Sequence, residues 1–218
     1  EPEHLSLLYL FTIEHNSRDD GMIMSAQAEL GAYIQQYLGE VAQLAHLIDQ
    51  QQIAYAVQAL AQLRERGGRL FILGVGGSAG NASHAVNDFR KITHIEAYAP
   101  TDNVSELTAW VNDVSWEAVF VEWLKTSHLR ASDMLLIYSV GGGSATTSAN
   151  LVRAMEYATS IDCPILSIVS RDGGRAKQLS QITILIPVIS EERITPHAES
   201  WQAILWHLLV NALVKAVV

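Results

Sequence analysis

The stretch LFILGVGGSAGN, residues 70–81, decides the fold. Leu70–Leu73 is a short aliphatic and aromatic run that fits a strand buried on both faces. Gly74-Val75-Gly76-Gly77-Ser78 follows at once, and helix-compatible residues follow that. Glycines let the backbone turn sharply, while the start of a helix offers unpaired N–H groups and the positive end of its dipole. With the Ser78 hydroxyl added, the turn is a seat for an anion. It is not a Walker loop, because no Gly-Lys-Ser/Thr follows, and it lacks the Gly-x-Gly-x-x-Gly spacing of dinucleotide sites.

Strand, glycine turn and helix make the first half of a βαβ unit, and the rest of the chain continues in the same grammar. Downstream, the apolar runs Ile95–Ala99, Met134–Val140, Ile165–Val169 and Ile182–Val188 alternate with helix-like segments. That alternation predicts an α/β fold with a doubly wound sheet of five parallel strands. Upstream, Met22 to Arg66 carries Leu30, Ile34, Leu38, Val41 and Leu44, then Ile53, Val57 and Leu60, at helical spacing without a proline. Gly67-Gly68 ends that long N-terminal helical segment. At the other end, about Ala198 to Val218 reads as a long C-terminal helix. Its apolar run from Gln202 is broken by His207, Asn211 and Lys215 and is shorter than the roughly 20 residues of a membrane span. A single domain over residues 1–218 is expected, with 1–66 helical and 67–218 forming the core and closing helix.

Composition narrows the function. Of 218 residues, 49% are hydrophobic, enough for a sizeable core and too many for a disordered chain. The net charge of −9 argues against nucleic acid and anionic membrane as partners, since both need a basic face. It leaves room for a phosphate held by backbone N–H groups and hydroxyls. One cysteine, Cys163, excludes a disulfide scaffold. It points to a reduced, cytoplasmic setting and to a small buried hydrophobe.

A second turn repeats the design of the first. Ser139-Val140-Gly141-Gly142-Gly143-Ser144 follows the strand at Met134, and Thr146, Thr147 and Ser148 extend it. Two hydroxyl-rich turns at the carboxyl ends of neighbouring parallel strands converge on a crevice where ligands bind. A phosphorylated ligand is the expected occupant.

Two helical sets carry groups suited to proton transfer. His84 and Asp88 are four residues apart, and Glu199, Ala203, His207, Asn211 and Lys215 follow each other at the same step. Residues at that spacing share a helix face. Such a stripe can simply face water, with His84–Asp88 a surface pair worth about 0.2–0.5 kcal/mol. Alternatively both sets face one site, as acid and base or as N/O ligands of a divalent metal. Spacing alone leaves both readings open.

Taken together, Gly74–Ala79, His84, Asn112-Asp113, Ser139–Ser144, Asp172-Gly173-Gly174 and Arg193-Ile194 with the closing helix resemble a sugar isomerase (SIS) domain. Within that family the phosphoheptose isomerases are the nearest likeness. The resemblance implies conversion of sedoheptulose 7-phosphate to D-glycero-D-manno-heptose 7-phosphate through an enediolate. It implies Asp88 and His207 as the proton-transfer pair, and His84, Asp88, Glu199 and His207 as zinc ligands. Gly76, Gly77, Ser78, Asn112, Asp113 and Ser139 would bind substrate, with Ser144 and Ser148 alternatives for the phosphate serine. The resemblance also implies a homo-oligomer, a tetramer in such relatives. Six residues depart from the family pattern: Val75 for Asn, Val140, Gly141 and Gly143 for polar residues of the second turn, Asp88 for Glu and Glu199 for Gln. A non-catalytic SIS protein that binds a sugar phosphate or a protein partner is the alternative, as is an isomerase of another sugar phosphate.

Overall fold

A computed structural model describes residues 17–215, with side chains from residue 26 onward. The elements in chain order are α1 (Ser17–Leu47), α2 (Gln50–Glu65), β1 (Leu70–Leu73), α3 (Gly77–Thr93), β2 (Ala97–Tyr98), α4 (Val104–Asp113) and α5 (Val119–Thr126). They continue with β3 (Met134–Ser139), α6 (Ala149–Ser160), β4 (Ile165–Val169), α7 (Gly174–Leu179), β5 (Ile182–Leu185) and α8 (Ile194–Lys215). The chain divides into two compact units, residues 1–43 and 44–218. In the smaller unit the described part of α1 exposes Leu30, Tyr33, Ile34 and Leu38. In the larger, the Asp49 carboxylate starts α2 by accepting from the Gln51 and Gln52 amides at 2.8 and 3.3 Å.

The sheet is five-stranded, all parallel, in the order β2-β1-β3-β4-β5. The fold class expected from the alternating runs is therefore the one found. Strands β1 and β4 keep the predicted limits. Strand β2 is shorter than Ile95–Ala99, because this edge strand pairs only through Ala97 and Tyr98. Strand β5 ends at Leu185 rather than Val188. Ile186 still donates to the Val169 carbonyl at 2.7 Å, but Pro187 has no N–H to continue the ladder. Helix α8 starts four residues before Ala198, at Ile194. Pro196 sits in its first turn, where a missing N–H costs nothing. Residues 216–218, which the sequence reading included in that helix, lie outside the described residues.

Side chains alternate between two cores, as the two-residue period of a strand requires. Leu70, Ile72, Leu136 and Tyr138 face a layer built from α2, α3 and α8. Phe71, Leu73, Leu135 and Ile137 face a layer built mainly from α5, α6 and α7. Right-handed crossovers explain the partition. The chain steps one way from β1 to β2 over α3, and the other way from β3 through β5 over α6 and α7. The order reverses between β1 and β3, so a crevice opens beyond their carboxyl ends. At the opposite end, Asp133 is fully buried and grips Arg69 through Nε at 3.2 Å and Nη2 at 2.7 Å, tying the starts of β3 and β1 together.

Candidate active site

The two glycine turns are the segments that leave β1 and β3, so they flank that crevice. Gly76 has φ +63° and admits the first turn directly before α3. In the second turn the Ser139 hydroxyl accepts from the Gly142 amide at 3.0 Å. Gly142, at φ +71°, lies against the backbone of Gly173, where a Cβ would collide. Gly174 is packed equally tightly on the Gly141 carbonyl. The Gly142 and Gly143 carbonyls accept from the first amides of α7, Ala176 at 2.8 Å and Arg175 at 3.0 Å. The loop after β3 and the loop after β4 are thus interlocked.

Between them lies a cleft of about 570 Å³, lined among others by Ser78, Ser139, Ser144, Ser148, Arg171 and Thr195. The sequence reading named the four serines and missed the other two. Ser144 Oγ accepts from the Thr146 and Thr147 amides at 3.3 and 3.1 Å, so it serves the turn itself. Ser148, at φ +52°, places its hydroxyl at the start of α6 without bonding to any amide there. Arg171 brings the cleft its basic side chain, from a left-handed backbone at φ +54°. A non-glycine residue there costs on the order of 1–2 kcal/mol and is held by its surroundings. No motif marks it, because the left-handed φ and the direction of the side chain are products of the folded loop.

Helices α3 and α8 run parallel, side by side. The Asn81 amide nitrogen donates to the Glu199 carbonyl at 2.9 Å and to Gln202 Oε1 at 3.0 Å. Two turns further along, Trp206 Nε1 donates to Asp88 Oδ2 at 3.0 Å. Here the two helical sets meet. Asp88 Oδ2 lies 3.7 Å from His84 Nε2 and 3.4 Å from His207 Nδ1. The imidazole rings stand edge to face, 5.7 Å between centroids. Asp88 keeps 10% of its side-chain exposure, against 58% for His84 and 51% for His207, so the carboxylate forms the floor and the rings form the rim. Asn87 Nδ2 holds the other oxygen, Oδ1, at 3.1 Å. Beneath, Tyr138 stacks on Trp206 at 6.4 Å. Burial drives its hydroxyl well above the ordinary phenol range, and the nearby Asp88 charge adds to the shift.

Spacing left two readings of the stripe on α8, and the fold separates its members. His207 joins His84 and Asp88, while Asn211 and Lys215 face outward. The ligating atoms of His84, Asp88 and His207 all lie within 4.8 Å of one another, a donor set that could hold a divalent metal. Glu199 stands apart from that set, its carboxylate resting on Gly77 at the start of α3. Asn112 and Asp113 lie at the exposed end of α4, bonded to each other at 2.7 Å and outside the lining of the cleft. Cys163 is buried, and burial pushes its thiol up to about 12.

Comparison with known proteins agrees with this architecture. Residues 36–170 match the model of the SIS domain. A phosphoheptose isomerase of Helicobacter pylori is 28% identical over 169 residues, covering 75% of this chain and 83% of the relative. One from Chlorobium phaeobacteroides is 34% identical over 135 residues, or 59% of this chain and 58% of the relative. Among solved structures, phosphoheptose isomerase from Neisseria gonorrhoeae superposes with a TM-score of 0.74 at 24% identity, covering 88% of this chain and all of that one, a likeness of fold.

Proposed function

This chain belongs to the SIS-domain family, and from that membership and the geometry of the site we propose that it is an aldose–ketose isomerase acting on a sugar phosphate. The reaction proposed is sedoheptulose 7-phosphate to D-glycero-D-manno-heptose 7-phosphate, the activity that the names of its relatives carry. One observation supports it above the rest: two imidazoles and a carboxylate from separate helices converge on one point. That point lies along the same helix pair that borders the serine-lined cleft at Ser78 and Thr195. A protein that only binds a phosphate has no need of such a set.

In this mechanism the substrate phosphate sits in the cleft, held by the hydroxyls of Ser78, Ser139 and Ser148, the turn amides and Arg171. Ser144 braces the turn, with Gly76 and Gly77 admitting the close approach. Asn112 and Asp113 remain candidates for contact with the sugar. From Ser78 to His84 is six residues of helix, or about 9 Å, so the anchored phosphate and the proton-transfer groups address opposite ends of a sugar chain. Asp88 takes a proton from C1 of the ketose. His207 delivers a proton to the C2 oxygen and withdraws one from the C1 oxygen. Returning the first proton to C2 gives the aldose. Groups of this kind typically contribute about 10²–10⁴-fold each.

His84, Asp88 and His207 fit zinc as N/O donors, with Glu199 outside the set as the helices stand. Zinc bound there would polarise the substrate carbonyl as a Lewis acid. A carboxylate engaged by a metal is a weaker base, so the two roles of Asp88 compete. The chain is further proposed to act as a cytoplasmic homo-oligomer, a tetramer. A surface shared between copies would cover Ile204 and Leu208, which flank His207 in sequence and are each 41% exposed. No described helix is long and apolar enough to cross a membrane.

The test is turnover of sedoheptulose 7-phosphate by the purified protein, before and after chelation and with zinc restored. Asp88→Ala and His207→Ala should each lower kcat at least 100-fold without unfolding the chain. Activity that survives chelation assigns Asp88 to the proton, and activity that returns only with zinc assigns it to the metal. Unchanged turnover in both variants would remove the mechanism. Tight binding of the sugar phosphate without conversion would favour the non-catalytic alternative.

A further inference from the structure

Asp88 is the shorter of the two acidic side chains, yet its carboxylate stands between two imidazoles carried by different helices. What holds it there is a residue with no part in proton transfer. Trp206 is 3% exposed, and its indole N–H donates to Oδ2, the same oxygen that faces His84 and His207. That oxygen has two lone pairs. The indole engages it from the buried side and leaves the outer side to the imidazoles.

The ring itself is confined. Tyr138 stacks on it at an interplanar angle of 27°. His84 and His207 pack against it with centroids at 5.3 and 4.9 Å. A buried indole N–H needs an acceptor, and this one finds it in a carboxylate that is itself nearly buried. Since Asn87 fixes Oδ1, both oxygens are pinned and the carboxylate cannot rotate freely.

We propose that Trp206 is a positioning residue: its indole N–H sets the orientation of Asp88 between His84 and His207. The role rests on the isomerase reading for its effect on rate, though not for its geometry. A Glu at position 88 would have a reach about 1.5 Å longer and depend less on the tether.

The experiment uses the full chain and the variant Trp206→Phe, which keeps an aromatic ring and deletes the donor. The indole N–H resonance of Trp206, assigned by its loss in that variant, should lie downfield in the wild type. It should move upfield in Asp88→Ala. Competition with a chromogenic chelator should show zinc affinity falling about tenfold in Trp206→Phe. With sedoheptulose 7-phosphate, kcat should fall about ten- to a hundredfold while KM stays within twofold. Adding Asp88→Glu to Trp206→Phe should recover at least half of the lost kcat on a logarithmic scale.

An indole resonance indifferent to Asp88→Ala overturns the inference, whether or not the protein turns over the sugar. So does a Trp206→Phe protein with wild-type zinc affinity and kcat. If the wild type is inactive on every sugar phosphate tried, the isomerase reading fails, and the resonance and the zinc titration still decide the positioning role. A loss confined to the melting temperature would mark Trp206 as a packing residue and overturn the proposal.

Discussion

Arg171 and Cys163 show how differently single residues are used. Cys163 is a thiol that burial keeps protonated far into the alkaline range, and it behaves as a piece of core. Arg171 is exposed and sits in a backbone conformation that resists any side chain, yet it lines the cleft. Its local cost is consistent with a task at the ligand. Substitution Arg171→Gln should raise KM for the sugar phosphate about tenfold, equivalent to ~1.4 kcal/mol, with little change in kcat. Steady-state kinetics at fixed ionic strength would show it, and an unchanged KM would place the guanidinium outside the phosphate site. Arg171→Lys should fall between the two, since an ammonium keeps the charge but not the fork.

At the level of elements, the decisive contact is between loops. The turn after β3 gives its carbonyls to the first amides of α7, and Gly142 and Gly174 each occupy space that a methyl group would fill with a clash. Gly142→Ala should therefore destabilise the protein by about 2 kcal/mol or more. It should also weaken phosphate binding, because Ser139 and Gly142 shape the same turn. Urea unfolding and KM would report the two effects. A variant of wild-type stability would mean the loops can separate.

The same elements show what could be read beforehand. β1 and β4 are short, mostly apolar runs flanked by turns, and their limits follow from composition. The start of α8 did not, because Pro196 reads as a stop until its place in the first turn is known. His84, Asp88 and His207 were legible as candidates from four-residue steps and family likeness. Trp206 was not, since it sits on the apolar side of its helix, and only the packing of α8 on α3 brings its N–H to a carboxylate. Arg171 and Thr195 escaped notice because the cleft joins loops far apart in sequence.

At the scale of the whole molecule, the exposed imidazoles and their apolar neighbours point outward together. Ile204 and Leu208 beside His207 leave hydrocarbon in water where the chemistry is proposed to occur. If that surface is shared between copies, Ile204→Asp combined with Leu208→Asp should lower the mass seen by light scattering from an oligomer to smaller species. Activity should fall with it. A wild-type chain that runs as a monomer at micromolar concentration would refute the shared surface.

The parallel run of α3 beside α8 imposes a rule of counting. Gly77 meets Glu199, Asn81 meets Gln202 and Asp88 meets Trp206, so the contacts follow one another in the same order along both helices. One residue inserted between Glu199 and His207 would swing everything beyond it through about 100° and carry the imidazole off the aspartate. Evolution can thus respell this stretch letter by letter, but lengthening or shortening it erases the site at a stroke.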